Sequence, residues 1–110
     1  MTYVVIITPE AQANITAAHE YIAEHSPANA AEWLDSLKER IDGLKEFPRR
    51  YGKAREQVHR VAEIRQFVHK SHRVVFTIDD IGEIVYVVYV RHAKMRAVGE
   101  SEDADAVPGD

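Results

Sequence analysis

Two helix starts stand close together in this chain, at Thr8-Pro9-Glu10 and at Ser26-Pro27, and each is a hydroxyl residue followed by proline. The hydroxyl can accept the unpaired backbone N–H groups of a first helical turn, and proline is tolerated there because its missing donor has no partner to lose. Glu10 adds a carboxylate at the positive end of the helix dipole. Behind the first signal, Ala11, Ile15, Ala18 and Ile22 recur at helical spacing and predict one apolar stripe to about Glu24. Behind the second, Ala30, Trp33 or Leu34, Leu37, Ile41 and Leu44 take one side, and Glu32, Asp35, Lys38, Glu39 and Asp42 the other. Helices joined by so short a connection must lie antiparallel, as a hairpin.

The rest of the chain supplies a surface for that hairpin to cover. Residues 3–7 are a short β-rich run, and Phe47-Pro48 closes the second helix, because the residue before proline avoids the α region. Residues 49–57, with Gly52 among Arg49, Arg50, Lys53 and Arg55, predict an exposed loop. Three β-rich runs follow at 58–68, 72–78 and 83–90, separated by His69-Lys70-Ser71 and Asp79-Asp80-Ile81-Gly82, both with hairpin-turn composition. The valine-rich stretch 85–90 predicts a central strand. The order β-α-α-β-β-β predicts an α+β fold: an N-terminal strand and a helical hairpin packed on a small, mainly antiparallel sheet.

At 110 residues and 45% hydrophobic content the chain can build one core. We expect one domain over residues 1–98 and a disordered acidic tail over 99–110, which has no aromatic residue and little apolar content. There is no basic leader region, and the apolar run at 85–90 is far shorter than the ~20 residues of a spanning helix, so the expectation is a soluble, cytoplasmic protein. With no cysteine there is no disulfide framework, thiol nucleophile or thiolate metal site.

Charge is distributed unevenly. Residues 1–48 carry 3 Lys+Arg against 8 Asp+Glu, residues 49–99 carry 11 against 5, and residues 100–110 carry 0 against 5, which together give the net −4. A globally acidic chain can therefore present a basic face. Its candidate target- or phosphate-binding residues are Arg65, Arg73, Arg91, Lys94 and Arg96. Structural roles compete for some of them. Arg73 has a plausible partner in a carboxylate such as Glu63 on a neighbouring strand, His92 at a strand exit often only closes hydrogen bonds, and Trp33 suits helix-hairpin packing. Tyr86 and Tyr89 are expected on opposite faces, which would prevent an RNA-stacking pair.

Other motifs fail. His19 and His25 are six apart and project from different sides of a helix. His69-Lys70-Ser71-His72 lacks a thiolate or adjacent carboxylate and is taken as a polar turn. No glycine-rich phosphate loop or nucleophile elbow is present. No metal and no cofactor is expected.

Several segments in order resemble one family. They are Thr8-Pro9-Glu10-Ala11, then Tyr21-Ile22-Ala23-Glu24-His25-Ser26-Pro27-Ala28-Asn29-Ala30 across the helical turn, Trp33, and Leu44-Lys45-Glu46-Phe47-Pro48. On the strands come Ile64-Arg65, His72-Arg73-Val74-Val75-Phe76 and Val90-Arg91-His92-Ala93-Lys94-Met95-Arg96. From residue 3 to about 97 the pattern resembles the RelE/ParE superfamily of toxins from type II toxin-antitoxin modules, often called plasmid stabilisation proteins. That resemblance implies a growth-arresting protein silenced by a cognate antitoxin, whose C-terminal segment wraps over the sheet and helices. RelE-like members cleave messenger RNA in the ribosomal A site, whereas ParE-like members inhibit DNA gyrase.

RNA cleavage through the 2′-hydroxyl needs a base, an acid and cations around the phosphorane. If the chain is a ribonuclease, Arg65, Arg73 and Arg96 would brace phosphate and His92, with an ordinary pKa of about 6.5, would move a proton. RelE-like proteins commonly add a C-terminal tyrosine, and this chain has none after Tyr89. Position 66, where a lysine would serve, is Gln66, and neither His72 nor Phe76 brings a phenol. The resemblance thus favours a ParE-like gyrase inhibitor that is not itself an enzyme, with antitoxin and gyrase as partners. The alternatives are a RelE-like ribosome-dependent endoribonuclease and a non-toxic interaction module of the same fold.

Overall fold

A computed structural model describes residues 2–56 and 63–94. Strand β1 (Val4–Ile7) leads into helix α1 (Pro9–His25), helix α2 (Pro27–Asp42), and then strands β2 (Ile64–His69), β3 (His72–Asp79) and β4 (Ile84–His92). Short 3-10 turns at Gly43–Lys45 and Pro48–Arg50 lie between α2 and the sheet. Both predicted helix starts are present. The Thr8 hydroxyl accepts the Ala11 N–H at 3.2 Å, and the Ser26 hydroxyl accepts the Asn29 N–H at 3.1 Å. The second helix stops before the expected Phe47-Pro48 end: α2 gives way at Asp42 to a 3-10 turn, Glu46 is already extended (φ −123°, ψ 130°), and Phe47 sits in the left-handed region (φ 52°).

The four strands run in the order β1-β4-β3-β2. β2–β3 and β3–β4 are antiparallel hairpins, and β1 lies parallel to β4. In the turns the left-handed positions fall on Lys70 and Glu83, both at φ 56°, rather than on Gly82, whose N–H is instead accepted by Asp79. The first of the three later β-rich runs was expected from residue 58; among the described residues the strand starts at Ile64, and 57–62 lie outside them.

The helical hairpin covers one face. Ala11 and Ile15 of α1 and Trp33, Leu37 and Ile41 of α2 are buried against Phe67, Val74, Phe76, Val85, Val87 and Val90 of the sheet. Ala18 and Ile22 complete the α1 stripe at the margin. This is the core that the helical periodicity selects, and its burial drives the fold.

A bulge in β4 changes what the other face presents. Val75 pairs with Tyr89, but the next residue, Phe76, pairs with Val87, so Val88 is an extra residue. Before the bulge, Val85 and Val87 face the helices; after it, Val90 does. The phase shift places Tyr89 with Val75, Ile64 and Ala54 on the opposite face. Tyr86 pairs with Thr77, which alternation also assigns to that face. The expectation that the two tyrosines lie on opposite faces is therefore corrected, because strict alternation fails across one bulge. Thr8 secures this irregularity: its hydroxyl donates to Val87 O at 2.9 Å and lies 3.2 Å from Val88 O while capping α1. Beyond Ile7, where β1 ends, the Asn14 side chain accepts the Val90 N–H at 3.0 Å, satisfying an edge donor.

Candidate functional site

After the 3-10 turn at Pro48–Arg50 the chain runs beside β2 and then crosses the face that the helices leave open. Gly52 O accepts from Gln66 N at 3.1 Å and the Ala54 N–H donates to Ile64 O at 2.9 Å, so this segment acts as a short extra strand on the β2 edge. Arg55 then donates to Ala93 O at 2.7 Å, joining the segment to the end of β4. The next residue, Glu56, turns inward and is 1% exposed.

Under Glu56 lies Arg73, with no exposed surface. Its Nη1 donates to Glu56 Oε1 at 3.2 Å and to Gln66 Oε1 at 2.8 Å, and its Nη2 donates to Glu56 Oε2 at 3.1 Å. The Tyr89 hydroxyl donates to the same carboxylate. Burial pushes the Glu56 carboxyl up, but hydrogen bonds from Arg73 and Tyr89 more than offset it and hold the group below the usual carboxylate range. Burial, reinforced by the Glu56 carboxylate, pushes the Tyr89 phenol well above its ordinary range. A buried guanidinium needs such a partner, because an uncompensated charge in the interior is costly.

Arg73 therefore pairs with Glu56, and the expected Glu63 partner is corrected. Glu63 is engaged elsewhere, where Arg49 grips it with Nε and Nη2 at 2.9 and 2.7 Å and Arg65 reaches it at 2.7 Å. Arg49 also bonds Asp80 at 2.7 Å and the Tyr3 hydroxyl at 3.2 Å, and Tyr3 donates to Asp80 at 2.8 Å. The Arg49 hydrogen bond is the main cause that lowers both carboxyl groups. Glu56 is the only acid between Arg49 and Arg60, and a lone carboxylate in a basic stretch is the sequence signal that marks it.

The candidate cations do not share one surface. Arg65 pairs across from Phe76 on the helix-covered face, where its Nη1 also donates to Tyr51 O at 2.8 Å beneath the Tyr51 ring packed on Phe67 and Phe76. Arg73 and Arg91 are direct cross-strand neighbours on the opposite face. Arg91 lies with its guanidinium carbon 5.7 Å from the Tyr89 ring centroid, and its Nε is buried without a partner. Lys94 is exposed and its N–H donates to His92 Nδ1 at 3.1 Å. Arg96 lies outside the described residues. The single cationic side expected from sequence is thus divided: Arg65 is on one face, Arg73 is sealed within the other, and Arg91 and Lys94 remain near the end of β4.

His92 belongs to the helix side. Its ring stands 5.4 Å from that of His72, which stands 5.3 Å from Trp33. Burial, then the neighbouring His92 and His69, lowers the His72 pKa. His69, held by Ser36 at 3.1 Å, is lowered chiefly by burial. His72 and His92, with Val90 and Arg91, form one wall of an open groove of about 440 Å³ between α1 and the end of β4, faced by Ala17, Ala18, Tyr21 and Ile22. Among the described residues no group of three or more His, Asp or Glu is arranged to hold a metal ion, and no helix is long and apolar enough to cross a membrane.

Comparisons with known proteins agree with this architecture. The family model for the ParE toxin of type II toxin-antitoxin systems, parDE, matches residues 5–97. No curated protein matches the sequence. Solved structures match the fold: the chromosomal ParDE system from P. aeruginosa superposes with a TM-score of 0.67 at 14% identity, covering 84% of this chain and 98% of that one. The toxin-antitoxin complex RelBE2 from Mycobacterium tuberculosis gives 0.56 at 21% identity, covering 86% and 95%. The archaeal RelE-RelB complex from Pyrococcus horikoshii OT3 gives 0.56 at 12% identity, covering 87% and 100%. At these identities the structures speak for the fold, while the family model, spanning most of the chain, decides membership. The strand-hairpin-sheet architecture and the match over residues 5–97 place this chain in the ParE toxin family of type II toxin-antitoxin systems.

Proposed function

We propose that this chain acts in the cytoplasm as a ParE-like toxin that inhibits DNA gyrase and is silenced by a cognate antitoxin. The observation that carries the reading is the state of the arginines a phosphodiester-cleaving site would need. Arg73 is buried on Glu56, and Arg65 is paired with Glu63 on the other face, so their charge is spent inside the fold. A protein that works by occupying a target needs an accessible surface rather than an assembled base, acid and phosphate clamp. Among the described residues, Arg91 and Lys94 are the cations of the candidate set that are not held in an ion pair, which leaves their charge for such contacts. The toxin-antitoxin complexes among the structural neighbours support an antitoxin as partner.

The test is expression without antitoxin in cells carrying a reporter of DNA damage. Growth arrest with DNA breaks and an SOS response is the expected result. Arg91→Ala combined with Lys94→Ala should relieve the arrest while changing thermal stability little, whereas Arg73→Ala should lose activity by unfolding. A second reading rests on the His72 and His92 rings, which meet at 5.4 Å beside the α1 groove and offer paired imidazoles for base and acid work. It requires ribosome-bound messages to be cut on induction, with loss of cutting in His92→Gln.

A further inference from the structure

The sheet covers one of its edges and leaves the other open. At the β2 edge, the segment around Gly52 and Ala54 takes up backbone groups of Gln66 and Ile64. At the β1 edge, the Val4 N–H donates to Glu83 O at 2.9 Å and the Thr8 N–H to Val87 O at 3.0 Å, so these residues are turned toward β4. Backbone groups alternate in direction along a strand, and Val5 and Ile7 therefore aim their N–H and C=O groups away from the sheet. Tyr3, one step earlier in that series, donates to Lys45 O at 2.8 Å, whereas among the described residues Val5 and Ile7 meet no further strand on that side. The strand reads Val-Val-Ile-Ile, with no proline, charge or bulge to blunt it, and Val4, Ile6 and Ile7 are 60%, 39% and 36% exposed.

We propose that this edge is the contact between two copies of the chain, paired antiparallel through β1 about a two-fold axis at Ile6. In that register Val5 of each copy exchanges N–H···O bonds with the partner's Ile7, which satisfies the outward groups of the strand. Ile6, on the sheet face opposite Val5, meets its counterpart at the axis. The charges beside the edge are self-complementary in the same register. Val5, Ile7 and Ile41 line an open groove together with Lys38, Asp42 and Lys45. Lys38 and Asp42 stand one turn apart on α2. Among the described residues Lys38 has no ion pair, and Asp42 has only an exposed one, with Lys45 at 2.7 Å. A two-fold axis normal to the sheet reverses α2 in the second copy, which brings Lys38 toward the partner's Asp42 and Asp42 toward the partner's Lys38. An unrelated extended segment would satisfy the backbone groups alone. A second copy satisfies the backbone, the aliphatic side chains and both charges together. This pairing belongs to the free chain and is independent of its cellular target.

The absence of cysteine allows a direct test. Residues that face each other across an antiparallel pair without mutual backbone bonds have Cα atoms about 4.5 Å apart, within reach of a disulfide. Ile6→Cys in the full chain should therefore become a disulfide-linked dimer under mild oxidation. Ile81→Cys, at a position 99% exposed in the β3–β4 turn, should stay largely unlinked. Sedimentation of the unsubstituted chain should show a concentration-dependent species of twice 12.5 kDa. Asp42→Lys should raise the dimer dissociation constant roughly tenfold, and adding Lys38→Asp should restore it, a rescue that unfolding cannot imitate. Ile6→Lys, which sets two ammonium groups at the axis, should leave a folded monomer. A chain that stays monomeric at every concentration, its edge then left to an antitoxin strand or another protein, would overturn the proposal. So would linking of Ile81→Cys as fast as Ile6→Cys, or a dimer indifferent to Asp42→Lys.

Discussion

The two arginine clusters use the same residue types and differ in where they sit. Arg73 meets Glu56 and Tyr89 with side-chain exposures of 0% and 2% for the ion pair, whereas Arg49 meets Glu63 and Asp80 with Arg49 39% exposed. In the first cluster water cannot compensate a broken contact, so the carboxylate, the guanidinium and the phenol behave as one unit. In the second, solvent and salt screen the charges, and each contact contributes little. An arginine in the sequence therefore indicates neither binding nor structure until the burial of its partner is known.

The sharpest way to break the comparison is Arg73→Ala, which strands Glu56 in the interior. It should cost about 3–5 kcal/mol in denaturant unfolding. The triple replacement Glu56→Leu, Arg73→Met and Tyr89→Phe should cost far less than Arg73→Ala alone, since it leaves no orphaned polar group. A triple variant as unstable as the single one would show that shape, not charge pairing, fixes this region. Tyr89→Phe removes one hydrogen bond to a charged acceptor and should cost about 1.5–3 kcal/mol. Arg49→Ala should cost about 1 kcal/mol or less, and the cost should shrink with added salt.

Acid unfolding separates the same two regions. Glu56, Glu63 and Asp80 all have folded pKa values below their ordinary ones, so each contributes stability above its unfolded pKa and loses it as pH falls through the folded value. Melting temperature should therefore fall as the solution is acidified below about pH 4.5. Arg49→Ala should flatten the salt-sensitive part of that fall, and the triple apolar variant the salt-insensitive part. Equal salt sensitivity in both variants would contradict the assigned burial.

Much of the scaffold was legible in the sequence because it rests on local signals. Thr8-Pro9 and Ser26-Pro27 fix the helix starts through backbone donors next to them, and the Ala30 to Leu44 stripe fixes the face of α2 through periodicity alone. The hairpin turns were legible for the same reason. What was not legible depends on contacts distant in sequence. The parallel pairing of β1 with β4 leaves no local trace, and the bulge at Val88 moves Tyr89 to the face of Arg73 without any glycine to mark it. Glu56 comes from a segment with loop-like composition, so strand-to-strand reasoning offered Glu63 to Arg73 instead. Among the candidate binding residues, Arg65 and Arg73 had the right chemistry for phosphate but are engaged internally, which composition and charge counting do not register.

Supercoiling by purified DNA gyrase in the presence of the purified chain tests the central claim most directly. Loss of supercoiling with accumulation of cleaved DNA, reversed by the cognate antitoxin, is the predicted result. Gyrase activity unchanged at all toxin concentrations, with messages cut on translating ribosomes by the same preparation, would contradict it.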